Sequence, residues 1–335
     1  MNRLAVRKVK KKRKVRKFVL LSLVLVLGLI GFGGYKFYKT YNAASKSYND
    51  LDGREKSELR EEVVTISKDP VSILLMGIED YSTEGANGRT DSLMLITFNP
   101  KDERMKLLSI PRDTYVEIVG RGTMDKINHA HVFGGKQMTI DTVEKFLGIP
   151  VDYYASVDFD AFIEIIDILG GVTVDVPFDF EEKTMAPGSR WVQFHEGPMD
   201  LSGEEALAFA RMRKQDPSGD IGRAERQQEI VKAIVDKATS FSALTKIDEI
   251  AETIGDNIET NMRITEGLAF YKAYPDFSPK NIDQIKFESH SERMDGIVYE
   301  IADEESVDEV RQILKQHLEL TDGNDSVYAN EALDE

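Results

Sequence analysis

Five arginines are unusual in this acidic chain because they lie beside turns, strand ends and a helix start, not along solvated helix faces. They are Arg89, Arg112, Arg211, Arg213 and Arg223. A guanidinium group binds phosphate oxygens through two parallel hydrogen bonds, which an ammonium group cannot do. The set therefore predicts a receptor for an anion such as a diphosphate.

The spacing of the later arginines supports this prediction. Arg211 and Arg213 are two residues apart, so an extended backbone would point both side chains to one face. Arg223 and Gln227 are four apart and share one face at the start of a predicted helix. Backbone N–H groups already favour anions at such a helix start.

Three carboxylates accompany these arginines: Asp91 lies two residues after Arg89, Asp113 directly follows Arg112, and Glu79 follows the first apolar run. Beside a phosphate they would repel it, and a divalent cation removes this conflict. Mg²⁺ is commonly held by one or two carboxylates together with phosphate oxygens, and it neutralises charge on a leaving phosphate. Alternatively, the carboxylates form only ion pairs and helix caps.

Short apolar runs and helical stripes predict the elements that position these residues. Strands are predicted at 71–76, 93–98, 105–110 and 172–176, and helices at 139–147, 159–169, 202–210, 223–239, 265–274 and 307–318. Their alternation predicts one α/β/α domain in which helices cover both faces of a central mixed sheet.

The site is expected beyond the carboxyl ends of the strands, where open α/β sheets bind ligands. Residues after the first and third strands should meet there. Asp91 precedes its strand, so it joins them only if that strand is antiparallel to its neighbours or its loop folds over the edge. The sequence leaves both options open.

The first 38 residues predict a membrane anchor. Ten basic residues occupy the first 17 positions, and an uncharged apolar run of 18 residues follows from Phe18 to Tyr35. This run is long enough to cross a bilayer, whereas the apolar stretch of a cleaved signal peptide is usually shorter. Because basic flanks stay in the cytoplasm, we expect a single-pass type II protein of the cell membrane with an extracellular catalytic domain.

Composition narrows the class of protein further. Ten of the 43 Lys and Arg residues lie in the basic tail, so 33 remain against 59 Asp and Glu and the rest carries a formal charge of −26. This charge argues against nucleic acid as a partner. The chain has no cysteine, which excludes disulfides, thiolate catalysis and Cys-ligated zinc.

These observations give the expected domain organisation. It comprises a cytoplasmic basic tail (1–17), a transmembrane helix (18–38), a polar stalk or linker (39–69), an extracellular catalytic domain (70–320) with its motifs in 70–240, and a disordered acidic tail (321–335).

Several motifs between residues 70 and 240 together closely resemble the LytR-CpsA-Psr family, and within it the LytR/TagU-type members of Gram-positive bacteria. They are Gly88-Arg89-Thr90-Asp91, Ser109-Ile110-Pro111-Arg112-Asp113, Asp125-Lys126-Ile127-Asn128-His129-Ala130, Val157-Asp158-Phe159, Leu169-Gly170-Gly171-Val172, Arg211-Met212-Arg213 and the run from Asp220 to Gln228. The resemblance implies an enzyme that transfers an anionic glycopolymer, wall teichoic acid or a similar polymer, from undecaprenyl diphosphate to peptidoglycan.

The resemblance also implies roles for individual residues. Asp91 with Glu79 or Asp80 would hold Mg²⁺, with Mn²⁺ as an alternative. The diphosphate would be held by Arg89, Arg112, Arg211, Arg213, Arg223 and Gln227, with Lys126 nearby. The family usually shows Gly-x-Asp after the first strand, whereas this chain has Gly77-Ile78-Glu79, so the choice between Glu79 and Asp80 stays open.

The implied reaction is phosphoryl transfer. The C6 hydroxyl of a peptidoglycan MurNAc residue attacks the sugar-linked phosphorus, and undecaprenyl phosphate leaves. Such chemistry depends on positioning and charge neutralisation, which makes Arg112 and Arg213 catalytic candidates. Asp113 is either a general base or a residue that orients Arg112.

A lipid carrier also needs an apolar slot, which Phe162 and Ile166 could line, although apolar helix stripes also form ordinary core. Two other functions remain open: hydrolysis of the polyprenyl diphosphate by water, and a non-catalytic membrane-anchored binding or regulatory role.

Overall fold

The computed structural model of this protein describes residues 41–42, 45–51, 53–79, 88–185, 188–239 and 258–320. The strands in these ranges are β1 (Val71–Glu79), β2 (Arg89–Asn99), β3 (Arg104–Ser109), β4 (Tyr115–Ile118), β5 (Thr123–Lys126), β6 (Tyr153–Val157), β7 (Val172–Val176), β8 (Phe180–Lys183), β9 (Trp191–Phe194), β10 (Gly197–Leu201), β11 (Ile258–Thr260), β12 (Ile282–Ile285), β13 (Ser289–Met294) and β14 (Ile297–Ala302). The α-helices are α1 (His129–Leu147), α2 (Phe159–Leu169), α3 (Gly203–Arg211), α4 (Asp220–Ala238), α5 (Ile264–Ala273) and α6 (Glu304–His317).

A six-stranded mixed sheet with the order β11-β6-β1-β2-β3-β12 forms the centre of the domain. β1 pairs parallel with β6 and antiparallel with β2, and β3 pairs antiparallel with β2 and parallel with β12. The carboxyl ends of β1, β3, β6 and β12 therefore share an edge with the amino end of β2. This settles the question that the sequence left open, because an antiparallel β2 brings Asp91 to the same edge as the residues after β1 and β3.

The central strands are apolar on both sides because helices cover both faces of the sheet. Leu74 and Met76 of β1 pack in one core with residues of α1 and α6. Ile73 and Leu75 point the other way, into a core that includes residues of α4 and α5. The predicted α/β architecture with a central mixed sheet is confirmed.

A third core lies under two small antiparallel ribbons, β7–β10 and β8–β9. Phe180 and Phe194 stack with their ring centroids 4.5 Å apart, and Phe209 of α3 packs beside them. Ser202 and Glu205 form the predicted capping box at the start of α3. These contacts fix the direction in which α3 carries its last residue, Arg211.

Helix boundaries show where the local pattern is informative. α2 and β7 have the predicted bounds, whereas α1 begins ten residues before the predicted start and α4 begins three residues before Arg223. The early part of α1 was missed because it contains Gly134 and Gly135, whose backbone angles are non-helical and interrupt the helical stripe.

The described part of the predicted linker packs against the domain. Leu59 is buried, the guanidinium of Arg60 lies 2.6 Å from Asp152, and that of Arg54 lies 2.5 Å from Glu144. The part around Arg54 and Arg60 is thus fastened to the end of the sheet opposite Asp91, and Tyr48 and Asn49 bond to Thr260 of the edge strand β11.

No helix within the described ranges is long and apolar enough to span a bilayer. The predicted transmembrane helix (18–38), the basic tail, the acidic tail and Asp80 lie outside the described residues.

Candidate functional site

Asp91 occupies a β-bulge at the start of β2. Gly77 pairs with Ser92 and Ile78 pairs with Thr90, so Asp91 is the extra residue between two pairs. A bulge of this kind re-aims a side chain out of the regular alternation. Position 88, directly before β2, requires glycine, because a Cβ there would lie 2.1 Å from the backbone oxygen of Glu79.

Arg112 and Asp113 lie in the turn that follows β3. Arg112 Nη1 donates to Asp91 Oδ1 at 2.7 Å, and its Nε lies 3.9 Å from Asp113 Oδ2. Lys126, the last residue of β5, places its Nζ 2.9 Å from Asp113 Oδ1. The four side chains form a row of alternating charge in which two carboxylates hold Arg112 in place.

Three further arginines come from α3, α4 and the segment between them. The Arg211 guanidinium lies 5.7 Å from the centre of the Phe159 ring, a cation–π contact. Arg213 and Arg223 bind opposite oxygens of Asp220 at 2.8 and 2.7 Å. We call Arg112, Arg211, Arg213 and Arg223 the arginine cluster.

Burial and neighbouring charges shift the pKa values of two arginines in this cluster in opposite directions. The pKa of Arg223 lies below its ordinary value because burial lowers it, and Arg112 and Arg213 lower it further against the opposing effect of Asp220 and Asp91. For Arg112, burial has the largest single effect and lowers the pKa, but neighbouring carboxylates, Asp91 first, together raise it above the ordinary value. An anion beside Arg223 would relieve the repulsion between the guanidinium groups.

Arg226, a buried residue that sequence reasoning did not single out, holds the cluster together. It forms an ion pair with Asp216 and donates from Nε to the backbone oxygen of Phe209 at 3.1 Å and from its Nη2 to that of Met212. Gly222 permits the close approach, because a Cβ there would lie 2.0 Å from Asp216 Oδ2. The end of α3 is thereby tied to α4.

A first cavity, of about 340 Å³, lies over β6, β1 and β2 and is walled by α2, α3 and α4. Its polar lining includes Asp91, Ser92, Arg112, Asp158, Arg211, Arg223 and Gln227. Its apolar lining includes Leu75, Met76, Met94, Val157, Phe159, Phe162, Ile165, Leu207, Ala210, Ile230, Val231 and Ile234. Phe162 lines the cavity as predicted. Ile166 does not, since it is fully buried in the core, and Ile165 lines the cavity in its place.

A second cavity, of about 300 Å³, lies over β2, β3 and β12 on the other side of the same polar residues. Both cavities are lined by Asp91, Ser92, Arg112, Arg223 and Gln227. The Ser92 hydroxyl donates to Gln227 Oε1 at 3.0 Å, and Gln228 Nε2 donates to the Ser109 hydroxyl at 2.9 Å. These bonds hold α4 across the sheet edge, so a wall of polar residues separates the two cavities.

The predicted site residues converge unevenly. Arg112, Arg211, Arg223, Gln227 and Asp91 meet around the first cavity. Five predicted site residues do not appear among the described residues that line the two cavities: Glu79, Arg89, Asp113, Lys126 and Arg213. Arg89 is an exposed residue at the start of β2, and Glu79 pairs with it at the end of β1. The other three are ion-pair partners outside the lining.

The predicted Mg²⁺ site depends on which carboxylates lie around these cavities. No group of three or more His, Cys, Asp or Glu side chains that could hold a metal occurs among the described residues. Asp91 nevertheless lines both cavities, and one of its carboxylate oxygens accepts a hydrogen bond from Arg112. It fits a site in which substrate oxygens supply other ligands, as is common for Mg²⁺.

Comparison with known proteins gives consistent matches. A family model described as the LytR_cpsA_psr family matches residues 34–316. TagV of Bacillus subtilis (strain 168), named a polyisoprenyl-teichoic acid–peptidoglycan teichoic acid transferase, is 49% identical over 284 residues, which make up 84% of this chain and 73% of TagV. The crystal structure of B. subtilis TagV superposes with a TM-score of 0.68 at 48% identity and covers 76% of this chain and 99% of that one. A structure of YwtF (TagT) with bound octaprenyl pyrophosphate lipid gives a TM-score of 0.63 at 29% identity, over 81% of this chain and 100% of that one.

Proposed function

Since this chain belongs to the LytR-CpsA-Psr family, we propose that it transfers an anionic glycopolymer, wall teichoic acid or a similar polymer, from undecaprenyl diphosphate to the C6 hydroxyl of peptidoglycan MurNAc. The observation that carries the proposal is the first cavity, whose apolar walls end directly at Arg112, Arg211 and Arg223. A polyprenyl diphosphate is the ligand that needs both halves: an apolar slot for the chain and guanidinium groups for the phosphates.

The relatives support the same reading. TagV carries the name of a teichoic acid transferase, and YwtF (TagT) has been seen with octaprenyl pyrophosphate. The apolar side chains of α2 and α4 in the first cavity correspond in character to what such a lipid requires.

Catalysis in this proposal rests on positioning and charge. Phosphoryl transfer passes through a transition state with little covalent demand on the protein, so fixed cations supply most of the acceleration. Arg112 is oriented by Asp91, and Arg223 is oriented by Asp220. Arg213 shares Asp220 with Arg223 and adds positive charge behind it.

Asp113 acts in this proposal as a residue that orients Arg112, and not as a general base. Its two oxygens face Lys126 at 2.9 Å and Arg112 at 3.9 Å. Asp113 lines neither cavity, so a base at this position would not contact an acceptor hydroxyl directly.

Magnesium is part of the proposal. Asp91, with Glu79 or Asp80, would hold it together with phosphate oxygens. When bound, the ion would neutralise the charge that develops on the leaving prenyl phosphate.

The site is proposed to work outside the cell, on a domain anchored by the predicted helix at 18–38. The carrier lipid is a membrane component, and a single-pass anchor keeps the enzyme next to it. The basic tail would then contact anionic lipid heads on the cytoplasmic side.

The test is transfer by the purified full chain from a lipid-linked donor to peptidoglycan oligomers. Arg112→Ala should lower kcat/KM about 100-fold, or about 3 kcal/mol of transition-state stabilisation. Arg190→Ala is the matched control, because Arg190 also pairs with a carboxylate, Glu205, at 2.8 Å. Product that forms equally well without peptidoglycan would indicate a hydrolase. Full activity of Arg112→Ala would remove Arg112 from catalysis, and a wild-type chain that forms no product would favour a non-catalytic role.

A further inference from the structure

The second cavity is the feature that the motifs and the proposed lipid site leave unexplained. Its far wall comes from β12, the segment after it and β14, none of which belongs to a motif recognised in the sequence. The residues are Gln284, Ile285, Lys286, Phe287, Glu288, Ser289 and Glu300. They reach the site because β12 pairs parallel with β3 and a backbone bridge joins Thr114 to Glu300.

We infer that the second cavity binds the acceptor glycan and that Glu300 and Gln284 contact its hydroxyl and amide groups; this rests on the proposed function. In phosphoryl transfer the attacking and leaving oxygens lie roughly in line on opposite sides of the phosphorus. If the prenyl phosphate leaves into the first cavity, the acceptor must approach from the opposite side of the arginine cluster.

The second cavity lies on that side. It shares Asp91, Arg112 and Arg223 with the first cavity but extends over β3 and β12, away from the apolar walls. The acceptor oxygen would bond to the sugar-linked phosphorus as the bond from that phosphorus to the bridging oxygen breaks. The hydroxyl proton would pass to water in the cavity. Water can reach this cavity because its lining includes Ile221, whose side chain is exposed.

Charge favours the acceptor over the donor polymer as the occupant. Apart from the shared wall, the charged lining residues of the second cavity are Asp220, Glu225, Glu288, Glu300 and Lys286. Four acids and one lysine would repel an anionic glycopolymer but can accept hydrogen bonds from the hydroxyl groups of an uncharged sugar. Gln228 and Gln284 add amide donors and acceptors suited to N-acetyl groups.

Glu300 is the most firmly held of these groups. Its two oxygens accept from the hydroxyls of Ser289 at 2.6 Å and Ser291 at 2.8 Å, and its backbone N–H donates to the carbonyl of Asp113 at 2.9 Å. Asp113 is the residue after Arg112, so Glu300 is anchored one residue from the arginine cluster. Each carboxylate oxygen can accept a further hydrogen bond from a ligand.

The experiment compares Glu300→Gln, Gln284→Ala and the control Glu292→Gln in the full chain. Glu292 lies on the same hairpin, is exposed and does not line either cavity. Two quantities are measured: the Kd for octaprenyl diphosphate, and the KM for peptidoglycan glycan oligomers in transfer from a lipid-linked donor. Thermal unfolding checks that each variant is folded, and Gln284→Ala changes an exposed strand position that carries little of the fold.

We expect the acceptor KM to rise about tenfold in Glu300→Gln, as for a weakened hydrogen bond to a charged group, and about fivefold in Gln284→Ala, as for the loss of a neutral hydrogen bond. The Kd for octaprenyl diphosphate should stay within about twofold of wild type, and Glu292→Gln should match wild type in both measurements. Weaker octaprenyl diphosphate binding in both variants, or an unchanged acceptor KM, would overturn the inference and leave the proposed function standing. A wild-type chain that transfers nothing to any glycan would overturn the proposed function and the inference together.

Discussion

Arg226→Met is the substitution whose consequence follows most directly from the structure. The side chains of Arg226 and Asp216 are 3% and 4% exposed, so methionine would leave a buried carboxylate without its cation. Removing one partner of a buried ion pair costs about 3–5 kcal/mol. Methionine also removes the donors to the carbonyls of Phe209 and Met212, so the variant should lose about 3–4 kcal/mol of unfolding free energy.

The function should suffer as well, because Arg226 ties the end of α3 to α4. Without it, Arg211 and Arg213 are no longer held in position relative to Arg223. We expect the Kd for octaprenyl diphosphate to weaken by about tenfold or more under conditions where the variant is still folded.

Urea unfolding followed by fluorescence and calorimetric titration of octaprenyl diphosphate give the two numbers. The double variant Asp216→Asn with Arg226→Met is the matched control, because it removes the stranded charge and should recover part of the stability but not the affinity. Wild-type stability and wild-type affinity in Arg226→Met would refute the reasoning.

Three other predictions test separate parts of the account. Gly88→Ala should destabilise the fold by about 2 kcal/mol and lower transfer, because its Cβ would lie 2.1 Å from the Glu79 backbone oxygen and push the Asp91 bulge aside. Urea unfolding measures this loss, and Gly267→Ala is the control because a Cβ at Gly267 would meet open space. Asp91→Asn should raise the Mg²⁺ concentration for half-maximal transfer about tenfold, measured by titrating Mg²⁺ into metal-free enzyme, and an unchanged requirement would remove Asp91 from the metal site. Burial lowers the pKa of His317, so below pH 6.5, the ordinary histidine value, the unfolded state binds more protons than the folded state. The free energy of unfolding should therefore fall as the pH drops below 6.5. His317→Gln should reduce this pH dependence, whereas the control His290→Gln, at an exposed position, should not.

Local sequence patterns were sufficient where an element is defined by its own residues. Two helices were predicted from local signals alone. For α2 these are the apolar residues at helical spacing between Asp158 and Gly170, and for α3 the signal is its capping box. The arginines after β3 and around α3 and α4 were also recognisable, since their placement next to strand and helix ends follows from the same local signals.

Features that depend on distant partners could not be predicted. The sequence predicts a polar linker over 39–69, yet Arg54 and Arg60 in that range pair with carboxylates about ninety residues away. Glu300 lines the second cavity because β12 pairs with β3 and because its backbone is joined to Thr114 and Asp113. Arg89 is exposed outside both cavities in the described structure, whereas Asp91, two residues later, lines both, so the contact of Arg89 with the diphosphate stays a prediction.

The central claim is that one ligand occupies the first cavity and the arginine cluster at once. Calorimetric titration of octaprenyl diphosphate into the full chain tests this claim most directly. Wild type should bind one equivalent, and both Phe162→Glu, in the apolar wall, and Arg223→Ala, in the cluster, should weaken that same binding event by at least about tenfold. Octaprenyl diphosphate affinity that falls in Arg223→Ala but is unchanged in Phe162→Glu would contradict the account, because the lipid chain would then lie elsewhere.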